Sequence, residues 1–267
     1  MAHQTHPGTA LITGASSGIG EVYADRLAKR GYDLILVARN TERLKALADR
    51  LTAETGRKVD TIAADLGLRA DRTAVEARLR DDKSITLFVN NAGIFVGGPH
   101  AAVDADAVEA MLDVNVTALT RLAAAAASSF VQRGSGTIVN LASLMALLDT
   151  PNTAAYGATK AYVLSFTHSL ALELAPQGIQ VQTVLPGYTR TPMINNGEGI
   201  PPEQVMEVDV LVDAALAGLD AGELVTIPAQ HRDGDYQKLF DVRADLIANL
   251  VGNRSAGRYS VNAANAA

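Results

Sequence analysis

T-A-L-I-T-G-A-S-S-G-I-G-E-V-Y-A-D-R-L-A-K-R-G, Thr9 to Gly31, is the stretch that decides how this chain folds. Thr9 to Thr13 is a short apolar run, read as a buried strand. It enters a glycine-rich turn, and an amphipathic helix follows that stops at Gly31. Strand, glycine turn and helix in that order make the setting a phosphate-binding loop needs. Glycines at Gly14, Gly18 and Gly20 let the backbone approach a pyrophosphate, which is then held by free N–H groups at the helix N-terminus. The spacing is G-x3-G-x-G and not the commoner G-x-G-x-x-G. A glycine turn without a ligand is the alternative reading.

The same alternation continues along the chain. Asp33 to Val37 is expected as a second strand, Thr41 to Gly56 as a helix, and Lys58 to Ala63 as a third strand. A polar helix follows over Arg69 to Asp82, then a fourth strand from Ile85 to Val89. Asp104 to Arg133 reads as a long helix interrupted at Asn115, a poor helix former. Thr137 to Leu141 is a fifth strand, Ala154 to Ala175 a helix, Ile179 to Leu185 a sixth strand. Glu203 to Ala221 (helix), Glu223 to Ile227 (seventh strand) and Tyr236 to Val251 (helix) complete the pattern. The alternation never pauses, so one α/β domain over residues 1–267 is expected. Residues 192–221 read as a substrate lid region, rich in Gly, Pro and Asn at its start. Residues 252–267 read as a loosely held tail.

Composition narrows the function. Hydrophobic residues make up 48% and charged residues 19% of the chain, which supports a buried core. The formal charge of −6 gives no basic field for nucleic acid or an anionic membrane. Cysteine is absent, so there is neither a disulfide framework nor a thiol nucleophile. The five histidines show no metal-binding spacing, and no metal is expected. The N-terminus lacks a basic start with an apolar run, and no uninterrupted apolar stretch reaches the ~18 residues of a membrane span. A cytoplasmic protein is the expectation.

A second stretch, Gly136 to Lys160, carries the chemistry. The strand breaks at Ser143, and Tyr156 and Lys160 stand four residues apart on the following helix. They therefore share a face, with Cβ atoms roughly 5–6 Å apart. Free tyrosine titrates near ~10. One positive charge at ~4 Å in an effective dielectric of ~20 favours the phenolate by about 4 kcal/mol, which brings the phenol close to ~7. Ser143 is placed to hold a carbonyl or hydroxyl against that phenol. At the end of the second strand Ala38 offers no acid, whereas Arg39, with Arg43 nearby, offers a cation. NADP(H) is expected over NAD(H) on that basis. Asp65 either accepts an adenine amino group or N-caps the next helix. N-N-A-G, Asn90 to Gly93, either approaches an adenosine closely or is a structural turn. Asn115 either bonds a water or an ammonium, or is a satisfied helix-kink residue. Thr191 is placed to bind a carboxamide. Ile94, Phe95, Leu144, Met145, Leu148, Tyr188 and Met193 are expected to wall an apolar substrate pocket.

With these residues assembled, the chain resembles the short-chain dehydrogenase/reductase family from Thr9 to about Ile227. The matches are T-G-A-S-S-G-I-G at 13–20, N-N-A-G at 90–93, Asn115, Ser143, Y-G-A-T-K at 156–160 and P-G-Y-T-R-T at 186–191. V-A-R-N-T-E-R-L looks most like a broad bacterial branch. The resemblance implies a doubly wound, Rossmann-type, seven-stranded parallel sheet. It implies Tyr156 as proton donor or acceptor, Lys160 lowering its pKa and binding the nicotinamide ribose, Ser143 orienting the carbonyl, and Asn115 holding a relay water. The implied cofactor envelope comprises Gly14, Ser16, Ser17, Gly18, Ile19, Gly20, Arg39, Asp65, Leu66, Asn91, Ala92, Gly93, Pro186, Gly187, Thr189 and Thr191. Ser17 stands where some NADP-preferring members carry a basic residue, so specificity rests on Arg39. A homodimer or homotetramer is implied. The expected activity interconverts a carbonyl and a secondary alcohol on a small-molecule substrate. A non-catalytic NAD(P)-sensing protein is the alternative, although a sensor has no need for Ser143, Tyr156 and Lys160 together. An epimerase or dehydratase is a third reading, disfavoured by the short chain left after the seventh strand.

Overall fold

A computed structural model describes residues 7–232, 234–248 and 250. Seven strands lie parallel in the order β3-β2-β1-β4-β5-β6-β7. They are β1 (Thr9–Thr13), β2 (Asp33–Ala38), β3 (Val59–Ala63), β4 (Ile85–Asn90), β5 (Gly136–Leu141), β6 (Ile179–Val184) and β7 (Val225–Thr226). The order reverses between β1 and β4, so a crevice opens beyond the carboxyl ends of those two strands.

Successive side chains on a strand point to opposite faces, and here both faces are covered. On one face Ile12, Leu34, Leu36, Leu87, Val89 and Val139 pack under α1 (Gly18–Lys29), α2 (Thr41–Thr55) and α7 (Val208–Asp220). On the other, Leu11, Ile35, Val37, Phe88, Ile138 and Val181 meet α3 (Arg69–Asp81), α5 (Leu119–Arg133) and α6 (Ala154–Leu174). This is why β1, β2 and β4 read as continuous apolar runs. Side chains such as Phe88 and Phe130 are fully buried, each contributing roughly 1.5–3 kcal/mol of transfer free energy. A bidentate pair between Arg121 and Glu76 also ties α5 to α3.

The expected helix over Asp104 to Arg133 is one continuous run with a change of winding. Ala105–Leu112 (α4) is α-helical, Asp113–Ala118 is π-helical, and α5 follows directly. The interruption falls on Asn115, as the sequence suggested, and it takes the form of a wider turn. Among the described residues this run, Ala105–Arg133, is the one helix long and apolar enough to cross a membrane; half of its most apolar window is buried inside the protein.

Other boundaries differ from expectation. α7 starts at Val208 and not at Glu203, because Pro201 and Pro202 hold a separate 3-10 turn (Pro202–Gln204) ahead of it. The seventh strand shrinks to two residues, since only Thr183 and Val184 of β6 pair with it. α6 ends at Leu174 and passes into a 3-10 turn containing Pro176. The chain divides into two compact units, Met1–Pro228 and Ala229–Ala267. The first holds the whole sheet, and the second contains α8 (Asp235–Ala248). The expected end of that helix at Val251 and the expected tail at 252–267 lie outside the described residues.

Candidate active site

The turn after β1 is built by glycine. Gly14 and Gly18 take positive φ values of 68° and 58°, which residues with a Cβ rarely adopt. A Cβ on Gly20 would run into the Gly14 carbonyl oxygen and come within 2.6 Å of Asn91 Nδ2. Ser17 caps α1 in extended conformation, but its side chain makes no capping hydrogen bond. The first N–H groups of a twelve-residue helix are therefore left for a ligand.

N-N-A-G is a structural turn, and its last three residues line a cleft. Thr13 Oγ1 accepts from the backbone N–H of Asn91 and of Ala92, each at 3.0 Å, and Asn91 Nδ2 donates to Thr13 O at 2.8 Å. Asn90 Nδ2 donates to Leu119 O at 2.9 Å and to Asn140 Oδ1 at 3.2 Å. These bonds lock β4 to β1, α5 and β5, and they leave Asn91, Ala92 and Gly93 lining a cleft of about 620 Å³.

That cleft gathers most of the residues expected to hold a dinucleotide. Gly14, Ser16, Ser17, Gly18, Ile19, Arg39, Asp65, Leu66 and Thr191 line it beside Asn91–Gly93. Thr191 also meets the glycine turn, since a Cβ on Gly18 would lie 3.1 Å from its Cγ2. Gly20, Pro186, Gly187 and Thr189 do not line it: Gly20 is packed against Gly14, and Thr189 Oγ1 turns back to donate to Gly187 O at 3.1 Å. Asn40, Gly67, Leu68, Asp113 and Val114 line the cleft without having been singled out from sequence. Their signal was positional only, as neighbours of Arg39, Leu66 and Asn115. Asn40 caps α2 by accepting from Arg43 N at 2.9 Å, which places both arginines at the cleft's end beyond β2. Asp65 is not a helix N-cap. Leu68 takes that place, while Asp65 Oδ1 accepts from Gly67 N and Oδ2 lies 4.0 Å from Arg39 Nη1. An uncapped helix start, two left-handed glycines and a cationic far end fit a phosphorylated dinucleotide.

Asn115, Ser143, Tyr156 and Lys160 are all buried, at 1%, 9%, 8% and 6% exposure. None of the four lines the cleft; Asn115 and Lys160 come next to it at Gly93, where an added Cβ would sit 3.3 Å from Asn115 Oδ1 and 3.6 Å from Lys160 Nζ. Asn115 uses both amide protons, one on Ile94 O at 2.9 Å and one on Thr159 Oγ1 at 3.2 Å, and its Oδ1 accepts from Ile94 N. Its side chain is thus a satisfied brace for Ile94 and has no N–H left for a water. Ser143 Oγ accepts from Met145 N at 3.2 Å and lies 3.4 Å from Pro186 O.

The electrostatic expectation for the phenol needs correcting. Burial raises the Tyr156 pKa above its ordinary value, and the Ser143 hydroxyl beside it only partly opposes this. Burial also pushes the Lys160 ammonium down to about 8. Lys160 Nζ is 5.7 Å from the centre of the Tyr156 ring and donates to Leu141 O at 2.9 Å. Desolvation is the largest influence on both groups and outweighs any charge pairing between them.

Of the expected pocket walls, Ile94 and Met193 line the cleft, while Leu144, Met145 and Tyr188 do not. Leu144 instead reaches toward Gly187, and Tyr188 is 51% exposed with its carbonyl accepting from Met206 N. Phe95 packs edge-on against Tyr156, ring centres 4.9 Å apart. Within 192–221, the segment Pro192–Gly197 is tied down by Arg190, whose Nη1 donates to Asn196 O and whose Nε meets Glu207 Oε1 at 2.7 Å.

Comparison with known proteins agrees with this architecture. A family model described as short chain dehydrogenase matches residues 8–198. The structure of an alcohol dehydrogenase from Comamonas testosteroni, described as specific for bulky-bulky ketones, superposes with a TM-score of 0.90 at 45% identity, covering 96% of this chain and 100% of that one. A short-chain dehydrogenase from Sphingobium yanoikuyae in complex with NADPH gives 0.91 at 49% identity, covering 94% and 100%. An uncharacterised oxidoreductase of Staphylococcus epidermidis is 33% identical over 210 residues, 79% of this chain and 90% of its own. Sheet order, glycine turn and sequence match thus converge: the chain belongs to the short-chain dehydrogenase/reductase family and is an NAD(P)-dependent oxidoreductase.

Proposed function

We propose that the protein reduces a ketone to a secondary alcohol, and the reverse, using NADP(H), with Tyr156 as the general acid and base. The observation that carries this reading is the buried cluster of Ser143, Tyr156 and Lys160, in which the Ser143 hydroxyl acts on the phenol, Lys160 Nζ is 5.7 Å from the centre of the phenol ring, and Lys160 comes next to Gly93 of the cleft wall. A nicotinamide cofactor held by the glycine turn, Asn91–Gly93 and Thr191 would supply the hydride. Ser143 holds the carbonyl oxygen, and Tyr156 gives its proton to that oxygen as the alkoxide forms. A phenol kept protonated by burial is in the right state to donate in that step. Lys160, 5.7 Å from the centre of the phenol ring, is assigned to stabilise the phenolate left behind and to hold the nicotinamide ribose.

Arg39 and Arg43 at the cleft's end support NADP(H) over NAD(H), because a guanidinium pairs with a 2′-phosphate and β2 ends without an acid. Thr191, against the glycine turn, is assigned the carboxamide. Apolar groups at Ile94, Phe95 and Met193 and the 45% identity to an enzyme described as specific for bulky-bulky ketones support a ketone with two large apolar substituents. Tyr156→Phe is the test. It should abolish reduction of such ketones while leaving NADPH affinity within about threefold of wild type. Retained turnover in that variant removes Tyr156 from the reaction.

A further inference from the structure

Leu66 and Gly67 form part of the cleft wall, and their carbonyl oxygens accept from one nitrogen, Arg72 Nη1, each at 2.9 Å. Arg72 lies in the first turn of α3 and is only 7% exposed. The same nitrogen is 3.4 Å from Asp113 Oδ1. Asp113 lines the cleft too, and it opens the π-helical turn that carries Asn115. One guanidinium therefore joins two separate segments of the wall, the loop after β3 and the turn after α4. They come into van der Waals range there, since a Cβ on Gly67 would lie 3.9 Å from Val114 Cγ2.

Burying a guanidinium is costly unless its donors are paired, and Arg72 Nε is buried with no partner. The docking of α3 does not require this arginine. Val75 and Leu79 are fully buried, and Glu76 pairs with Arg121 of α5. Each hydrogen bond that Arg72 makes ends on the cleft wall. The wall it holds is also the one nearest Arg39, through Asp65.

We propose that Arg72 is a positioning residue for the cofactor: it fixes the Asp65–Gly67 wall against the Asp113 turn, so that the adenosine half of NADP(H) meets a preformed surface. This rests on the NADP(H) reading above. The test measures NADPH affinity by calorimetry and steady-state ketone reduction for wild type, Arg72→Met and Arg72→Lys. Arg72→Met is expected to raise both the Kd and the KM for NADPH about tenfold, with kcat at saturating NADPH within about threefold of wild type. The inhibition constant of adenosine 2′,5′-bisphosphate should rise by the same factor, and Arg72→Lys should fall between. A merely structural role would not give this split, because a loosened fold lowers kcat and the melting temperature together with affinity. NADPH Kd unchanged in Arg72→Met, or kcat lost in step with affinity, overturns the proposal. Should Arg72→Met fail to fold, Arg72→Lys decides: affinity reduced about threefold at unchanged kcat supports it, and unchanged affinity overturns it. A wild-type chain that binds no NADPH would end the cofactor reading and this inference together, and that result precedes any variant.

Discussion

The Lys160 ammonium faces the Tyr156 ring at 5.7 Å, yet its hydrogen bond goes to the Leu141 carbonyl on β5. Both side chains are buried, and each is pushed toward its neutral form, the phenol upward and the amine down to about 8. The chain thus holds a polar pair whose ionised states are costly in the folded protein, as expected of groups kept for chemistry.

Lys160→Met should therefore stabilise the fold while destroying activity. A fall from 10.5 to about 8 corresponds to ~3 kcal/mol of disfavoured charge at neutral pH, offset by about 1 kcal/mol for the Leu141 carbonyl left unpaired. The folded pKa lies below the unfolded one, so the unfolded chain binds more protons between them, and wild-type stability rises with pH from about 8 to 10.5. Urea unfolding at neutral pH should favour the variant by roughly 1–3 kcal/mol, and the gain should shrink at alkaline pH. A variant less stable than wild type at neutral pH contradicts the account.

Ser143 lowers the phenol's pKa against the effect of burial, so its removal should push the phenol higher still. In the reducing direction the rate falls as pH rises through that pKa, because the proton donor is lost. With Ser143→Ala the alkaline limb of the pH–rate profile should move up by ~0.7 unit, the equivalent of one neutral hydrogen bond of about 1 kcal/mol. A limb that stays put or moves down means the hydroxyl does not act on Tyr156.

Much of this was readable in the sequence, and the parts that were not have physical reasons. β1, β2 and β4 are buried on both faces, so they read as apolar runs, and the turn after β1 carries glycine where a Cβ would collide. Ser143, Tyr156 and Lys160 were legible because their spacing is local. Arg72 was hidden by its composition: in a polar helix an inward arginine looks like an outward one. Asp65 offered an acid before a helix, but the three residues between it and α3 turn it into a loop brace. The phenol's pKa is not legible from spacing, which gives the distance between charges and not the water removed from around them.

Arg39→Asp tests cofactor choice. Arg39 and Arg43 are the cations lining the cleft, and Arg39 has only a long contact with Asp65. A charge-assisted bond to a 2′-phosphate contributes ~1.5–3 kcal/mol, so the variant should lose about 10- to 100-fold in NADPH affinity. NADH affinity should change little or improve, since the new carboxylate can accept the ribose 2′-hydroxyl. Equal losses for both cofactors would take Arg39 out of the recognition of the phosphate.

Gly20→Ala asks whether the glycine turn is as tightly built as it looks. An added methyl would collide with the Gly14 carbonyl oxygen and with Asn91 Nδ2, and neither can withdraw. The Gly14 carbonyl belongs to a backbone at φ 68°, and Asn91 Nδ2 is held by Thr13 O at 2.8 Å. Overpacking against fixed atoms costs roughly 1–3 kcal/mol, which for a chain of this size lowers the melting temperature by about 2–4 °C per kcal/mol. The same displacement moves Asn91 and the start of α1, so cofactor affinity should fall with it. Calorimetric melting and NADPH titration on one preparation check both. A variant that melts normally and binds NADPH normally would mean that the turn gives way to the methyl, and the close packing of Gly20 on Gly14 would then not be what shapes this end of the cleft.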